Sequence, residues 1–232
     1  ARAWKEADIS LSKGWRNADM LLGTSHEFTR DIFCFWYDKK AGFQVRFRPR
    51  AAGAHKFSAQ DIAGRADAII ARMRQAHAEN KTVMFYSCII GSIPGQMATA
   101  IALVHAFLES LRSSLDDVFI VNPTEYFIEG MDGDDLMFMW ERVQRSGYID
   151  IWRFQTVDDI ERSFALLGRK VPPEWLGKDA TYSTGCTKEM RIAQDVQREN
   201  REMQIIGPAP SLFRRRSEYG VGKYFDASIA RG

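Results

Sequence analysis

Residues 81–121 read KTVMFYSC, IIGSIPG, QMATAIALVHAFLESLRSSLD and DVFIV, and this succession decides the fold. Lys81 to Cys88 is a short apolar run rich in β-branched and aromatic residues, the mark of a strand buried on both faces. Asp117 to Val121 is another. Between them, Met97, Ile101, Val104, Leu108 and Leu111 recur at helical spacing and form one apolar stripe. A strand, a crossover helix of this length and a second strand form a parallel βαβ unit.

The same alternation extends outward. Ser58 is a good N-cap with Asp61 three residues on, and Ile62, Ala66, Ile69, Ile70 and Met73 predict a helix over Ala59–His77. Downstream, Asp132–Ser146 is a helix with Leu136, Met139, Trp140 and Val143 on one face. Ile149–Trp152 is a short strand, and Thr156 caps a small helix carrying Ile160, Phe164 and Leu167. Upstream, the dense run Asp31–Tyr37 leads through the polar turn Asp38–Gly42 into Phe43–Arg48. There Phe43, Val45 and Phe47 alternate with Gln44, Arg46 and Arg48, as in a half-buried strand, and Pro49 ends it. The expectation is an α/β fold with a mostly parallel sheet as floor, crossover helices and a lid helix. It has a short helical extension over residues 1–30, a main domain over 31–180 and a C-terminal helical and extended tail over 181–232. In that tail Met190, Ala193, Val196 and Met203 form a thin apolar stripe, too thin to stabilise a lone helix.

Composition narrows the function classes. The chain is 45% hydrophobic and 27% charged with a formal net charge of +2, which fits a globular protein. No Lys/Arg-rich stripe or nucleic-acid motif is present, so a nucleic-acid partner is not expected. The longest apolar stretch, Thr82–Ile93, is interrupted by Ser87, Gly91 and Ser92. It falls short of the roughly 20 residues a membrane-spanning helix needs, and a peripheral association at most is expected. Cys34, Cys88 and Cys186 are too widely spaced for a zinc site or a disulfide framework, which points to a reducing compartment. The absence of an initiator Met suggests a processed organellar chain, mitochondrial in the first instance and cytoplasmic in the alternative.

Chemistry is sought where a strand meets a glycine-bearing loop. Cys88 followed by Gly91 resembles the way thiol phosphatases and sulfurtransferases present a nucleophile. However, Pro94 stands where a phosphatase needs its Arg, and no His is near in sequence to lower the thiol pKa. Gly91 and Gly95 complete neither a P-loop nor a dinucleotide loop. His26, His55, His77 and His105 are scattered, and His105 reads as a core or boundary histidine. Asp132, Asp134 and Asp135 lack the closing acidic ligand of a calcium loop. No catalytic residue, metal site or enzymatic activity is expected.

Several segments in order resemble the CRAL-TRIO family of lipid-binding domains. Tyr37-Asp38-Lys39-Lys40 and Phe43–Pro49 are similar to the family's opening turn and strand, with Gln44 in place of its Pro. Ser87–Ser92 stands where an Asp and glycine loop are usual. Asp117–Pro123, with Phe127 four residues after the Pro, resembles the strand that ends in Asn-Ala-Pro. Val171–Gly177 resembles the closing Pro-x-Glu element.

The resemblance implies an apolar cavity whose floor is Val45, Phe47, Val83, Phe85, Phe119 and Val121. Its lid would carry Tyr126, Phe127, Leu136, Met139 and Trp140. The ligand would be a phospholipid or other lipophile, with no further cofactor. Glu129, Asp132, Asp134 and Asp135 would repel an anionic membrane from that lid. The expected function is therefore a non-enzymatic accessory subunit of a larger, membrane-associated assembly, its protein partners held through residues 1–30 and 181–232. A free lipid carrier or sensor is the alternative, and a Cys88-dependent thiol enzyme a third.

Overall fold

The computed structural model describes residues 7–24, 28–52, 57–126, 131 and 133–215. They divide into two compact units, residues 1–62 with 129–132, and residues 63–128 with 133–232. His26, His55, Phe127, Glu129, Asp132, the Asp134 side chain and residues 216–232 lie outside the described residues.

In the first unit, β1 (Ile9–Lys13), α1 (Trp15–Gly23), β2 (Asp31–Asp38) and β3 (Gly42–Arg48) form a three-stranded sheet in the order β1-β2-β3. β1 runs parallel to β2, and β2 antiparallel to β3. One face takes α1. Ala18 of the helix and Phe28 cluster with Ile32 and Cys34, joined by Leu21, Leu22 and Trp36. Arg48 fastens the helix end by donating to the carbonyls of Leu21 at 2.6 Å and Thr24 at 2.9 Å, a cation meeting the negative helix terminus. The hairpin turn is built by Asp38, whose Oδ1 accepts the N–H groups of Lys40 and Ala41 at 2.8 Å each. Gly42 supplies the positive φ of 76° that a three-residue hairpin loop demands.

The second unit contains α2 (Ala59–Ala78, whose first turn belongs to the first unit), β4 (Thr82–Ser87), α3 (Met97–Arg112) and β5 (Val118–Val121). It continues with α4 (Gly133–Gln144), β6 (Ile151–Phe154), α5 (Val157–Leu166), α6 (Thr184–Glu199) and β7 (Gln204–Ile206). The four strands form an all-parallel sheet in the order β5-β4-β6-β7. Alternation along β4 sends Met84 and Tyr86 to one face, where they meet Val104, Phe107 and Leu108 of α3 and Ile120 of β5. On the other face Phe85 lies edge-on to Trp152 of β6 at 5.3 Å and to Trp140 of α4 at 5.5 Å. On the α3 side, Ile89, Ile93, Ala100 and Leu103 also pack with Ile160 and Phe164 of α5 and with Trp175. Both faces are thus covered by helices, which is why these strands are apolar throughout rather than alternating.

The expected parallel α/β sheet and its crossover helices are present, and so are the caps. Thr156 forms a reciprocal capping box with Asp159, and Ser58 Oγ accepts the Asp61 N–H at 3.1 Å. Three expectations are corrected. Val45 and Phe47 do not belong to the parallel sheet; they lie on β3 of the separate three-stranded sheet, because β1 pairs with β2 and gives this hairpin its own sheet. The helix expected as a lid, α4, is a packed layer of the core, with Met139, Trp140 and Val143 buried. The C-terminal segment expected as an extension instead supplies α6 and the fourth strand, β7. Its thin stripe suffices because α6 buries Met190, Ile192, Ala193 and Val196.

Candidate functional site

In an open parallel sheet the chain leaves the first strand to one side and later returns to the other. The crevice outside the strand ends at that reversal is where such folds bind ligands. Here β5 lies on one side of β4 and β6 on the other, so the crevice falls between the ends of β4 and β6, at Ser87, Cys88, Gln155 and Thr156.

The chain itself occupies this position. Gln155, buried just after β6, donates its N–H to the Ser87 carbonyl at 2.8 Å and accepts the Ile89 N–H on its side-chain oxygen at 3.0 Å. Its own carbonyl accepts the Ala180 N–H at 2.8 Å, which brings the chain before α6 onto the strand ends. The Trp152 indole donates to Ser87 Oγ at 2.8 Å. Cys186, in the first turn of α6, donates its Sγ–H to the Cys88 carbonyl at 3.3 Å. One turn further on, Glu189 is buried close to Ser87 and Cys186 and accepts from Gln144 Nε2 at 2.9 Å.

Electrostatics follow from the burial. Desolvation, and then the nearby Glu189 carboxylate, push both the Cys88 and Cys186 thiols far above the ordinary thiol range. Burial also raises the Glu189 carboxyl, opposed by hydrogen bonds from Ser87, Gln144 and Cys186 and by the Lys188 charge. A thiolate nucleophile needs an electropositive, partly exposed setting; Cys88 has the opposite. On the neighbouring face Tyr86 Oη reaches Asp159 at 3.4 Å, and Asp159 pairs with Arg153 at 2.6 Å. That carboxylate serves the Thr156 cap rather than an open site.

The raised carboxyl gives a pH signature. The native state holds the Glu189 proton to higher pH than the unfolded chain does. Stability is therefore free of this penalty below the unfolded carboxyl range, near pH 4.3, and falls as pH rises through the elevated native value. Glu189→Gln removes that fall. Urea midpoints taken from pH 4 to pH 8 should decline less in this variant than in the wild type, and parallel curves would refute the assignment.

The expected cavity residues are distributed as follows. Val83, Phe85, Val121, Met139 and Trp140 are buried, while Phe119, Tyr126 and Leu136 are half-buried. They fill one another's space. Tyr126 lies edge-on to Trp140 at 5.7 Å, and Arg72 donates to Tyr126 Oη at 2.7 Å with its guanidinium 5.5 Å from the Phe119 ring. Val45 and Phe47 are 57% and 52% exposed on the other sheet. His77 Nε2 lies 2.8 Å from Asp150, and His105 is exposed rather than buried, its Nε2 3.1 Å from Thr124 Oγ1. The Ser87–Gln155–Glu189 cluster was missed from sequence. The available signal was that Glu189 falls on the apolar stripe of its helix with Cys186, Met190 and Ala193.

Among the described residues no group of three His, Cys, Asp or Glu side chains could hold a metal ion, and no helix is long and apolar enough to cross a membrane. Fold and site define a doubly wound α/β unit with a filled switch-point crevice, accompanied by a small mixed-sheet unit. No family model, curated protein or solved structure matches the chain.

Proposed function

We propose that the protein is a non-enzymatic accessory subunit that docks onto an apolar protein surface through the open face of its three-stranded sheet. One observation carries this reading. The face of that sheet opposite α1 presents Leu11, Tyr37, Phe43, Val45 and Phe47, each 52–73% exposed. Neighbours in register lie on the same face, Phe33 against Phe47 with rings 4.6 Å apart, and Tyr37 opposite Phe43. A contiguous apolar surface of this kind is characteristic of an interaction site, whereas single exposed hydrophobics are not.

The sealed crevice and the raised Cys88 thiol support a non-catalytic role. The CRAL-TRIO resemblance supports a fold built around a lipid cavity, and the burial of Val83, Phe85, Val121, Met139 and Trp140 among each other supports a filled one. An organellar, mitochondrial home remains part of the proposal, with the cytoplasm as the alternative that cell fractionation separates.

Native mass spectrometry of protein purified gently from its source tests the reading. The wild-type chain is expected within a multi-protein assembly, and a Phe43→Lys, Phe47→Lys double variant, which leaves the α1 face untouched, as a free chain. A free wild-type chain, or one carrying a stoichiometric extractable lipid, would overturn it in favour of a carrier.

A further inference from the structure

The opposite side of the three-stranded sheet carries a feature that the proposed docking face does not include. Beside α1 a groove of about 490 Å³ is lined by Trp15, Asp19 and Leu22 of the helix, Trp36 and Asp38 of β2, and Arg46 of β3. Its volume falls within the range of small-molecule sites, where apolar and aromatic walls carry a few convergent polar groups. From this groove we infer a binding site for a neutral saccharide.

Three observations point there. The first is the pair of indoles. Trp140, Trp152 and Trp175 are all buried, but Trp15 is 61% exposed, and it shares the groove with half-buried Trp36. An indole has an apolar face for the C–H side of a sugar ring and a polar N–H at its edge.

The second is the state of the polar groups. Among the described residues, Asp19, Arg46 and both indole N–H groups have no hydrogen-bond or ion-pair partner, although opposite charges share one groove. Among the described residues Asp38 is engaged through one carboxylate oxygen, which holds the hairpin turn.

The third is the donor and acceptor inventory. The two carboxylates only accept, and Arg46 and the indoles only donate. A hydroxyl group does both, so a polyhydroxylated ligand satisfies every wall group at once. Charged ligands fit less well: an anion meets Asp19 and Asp38, and a cation meets Arg46. The Trp15 ring, moreover, already has the Arg16 guanidinium 5.7 Å from its centroid.

Isothermal titration calorimetry on the 232-residue chain tests the inference, with maltotriose, cellotriose and triacetylchitotriose as probes and glycine betaine as a zwitterionic comparison. At least one trisaccharide should bind saturably. Trp15→Ala should weaken that binding about tenfold or more by removing a stacking wall, and Asp19→Asn should also weaken it. Both positions lie on the exposed side of α1, so both variants should keep the wild-type circular dichroism. Binding of none of the three trisaccharides at millimolar concentration would overturn the inference. So would binding indifferent to Trp15→Ala, or binding of betaine alone. The assay reads nothing of the assembly experiment above, so either result can fail without the other.

Discussion

Trp152→Ala is expected to lower the unfolding free energy of the parallel-sheet unit by about 4 kcal/mol. Trp152 is fully buried in β6. Its ring lies edge-on to Phe85 at 5.3 Å and parallel to Phe154 at 6.0 Å, and its N–H satisfies Ser87 Oγ at 2.8 Å. Truncation therefore empties the largest side-chain volume in the sheet's buried face. It also leaves the Ser87 hydroxyl, beside buried Glu189, without its indole donor. Trp152→Phe separates the two losses. It retains most of the aromatic volume and removes the hydrogen bond together with the outer part of the indole, for a cost of about 1–2 kcal/mol. Urea unfolding followed by far-ultraviolet circular dichroism measures both. Since a typical domain is stable by about 5–15 kcal/mol, the alanine variant should show a much lower midpoint. A loss below about 1 kcal/mol would mean that this face is not the core of the unit.

Gly207→Ala is the second large effect, expected at about 3 kcal/mol and concentrated on β7. Gly207 follows the strand at a φ of 138°, a conformation that side chains resist. A Cβ there would stand 2.8 Å from both the Cβ and the carbonyl oxygen of Phe154. Neither atom belongs to a flexible side-chain end, so the backbone of β6 or β7 must shift. Amide exchange of Ile205 and Ile206 should speed up well before that of β4. Gly168→Ala provides the contrast. Its φ of 66° is also positive, but nothing lies within 4 Å of its added Cβ. That variant should lose only about 1 kcal/mol, the intrinsic cost of the left-handed conformation. Equal losses at the two positions would show that close approach to Phe154 plays no part.

How much of the site was legible in the sequence depends on the distance over which each signal acts. Thr156 and Asp159 could be read as a cap because a helix terminus is satisfied within three residues. Val83, Phe85 and Val121 could be read as buried strand positions because the strand pattern is local. Whether they line a cavity could not, because the answer depends on Trp140 and Trp152, far along the chain. Likewise Gln155 meets Ile89, and Cys186 meets Cys88, across 66 and 98 residues respectively. No spacing rule reaches so far. The polar cluster was foreshadowed only by one acidic residue on an apolar stripe.

The two sheets divide along the same line. By itself the sequence determined the βαβ alternation of residues 81–121, the helix over 59–77, the caps at Ser58 and Thr156 and the strand at 43–48, each from periodicity or capping chemistry within one element. Tertiary structure alone decided that Val45 and Phe47 belong to a separate sheet, that α4 packs as a core layer, and that residues 204–206 complete the parallel sheet. The physical reason is that a strand's backbone hydrogen bonds are made with another strand, whereas a helix makes its own. Strand partners and the closure of a crevice are therefore written in the assembled chain rather than in any one segment of it.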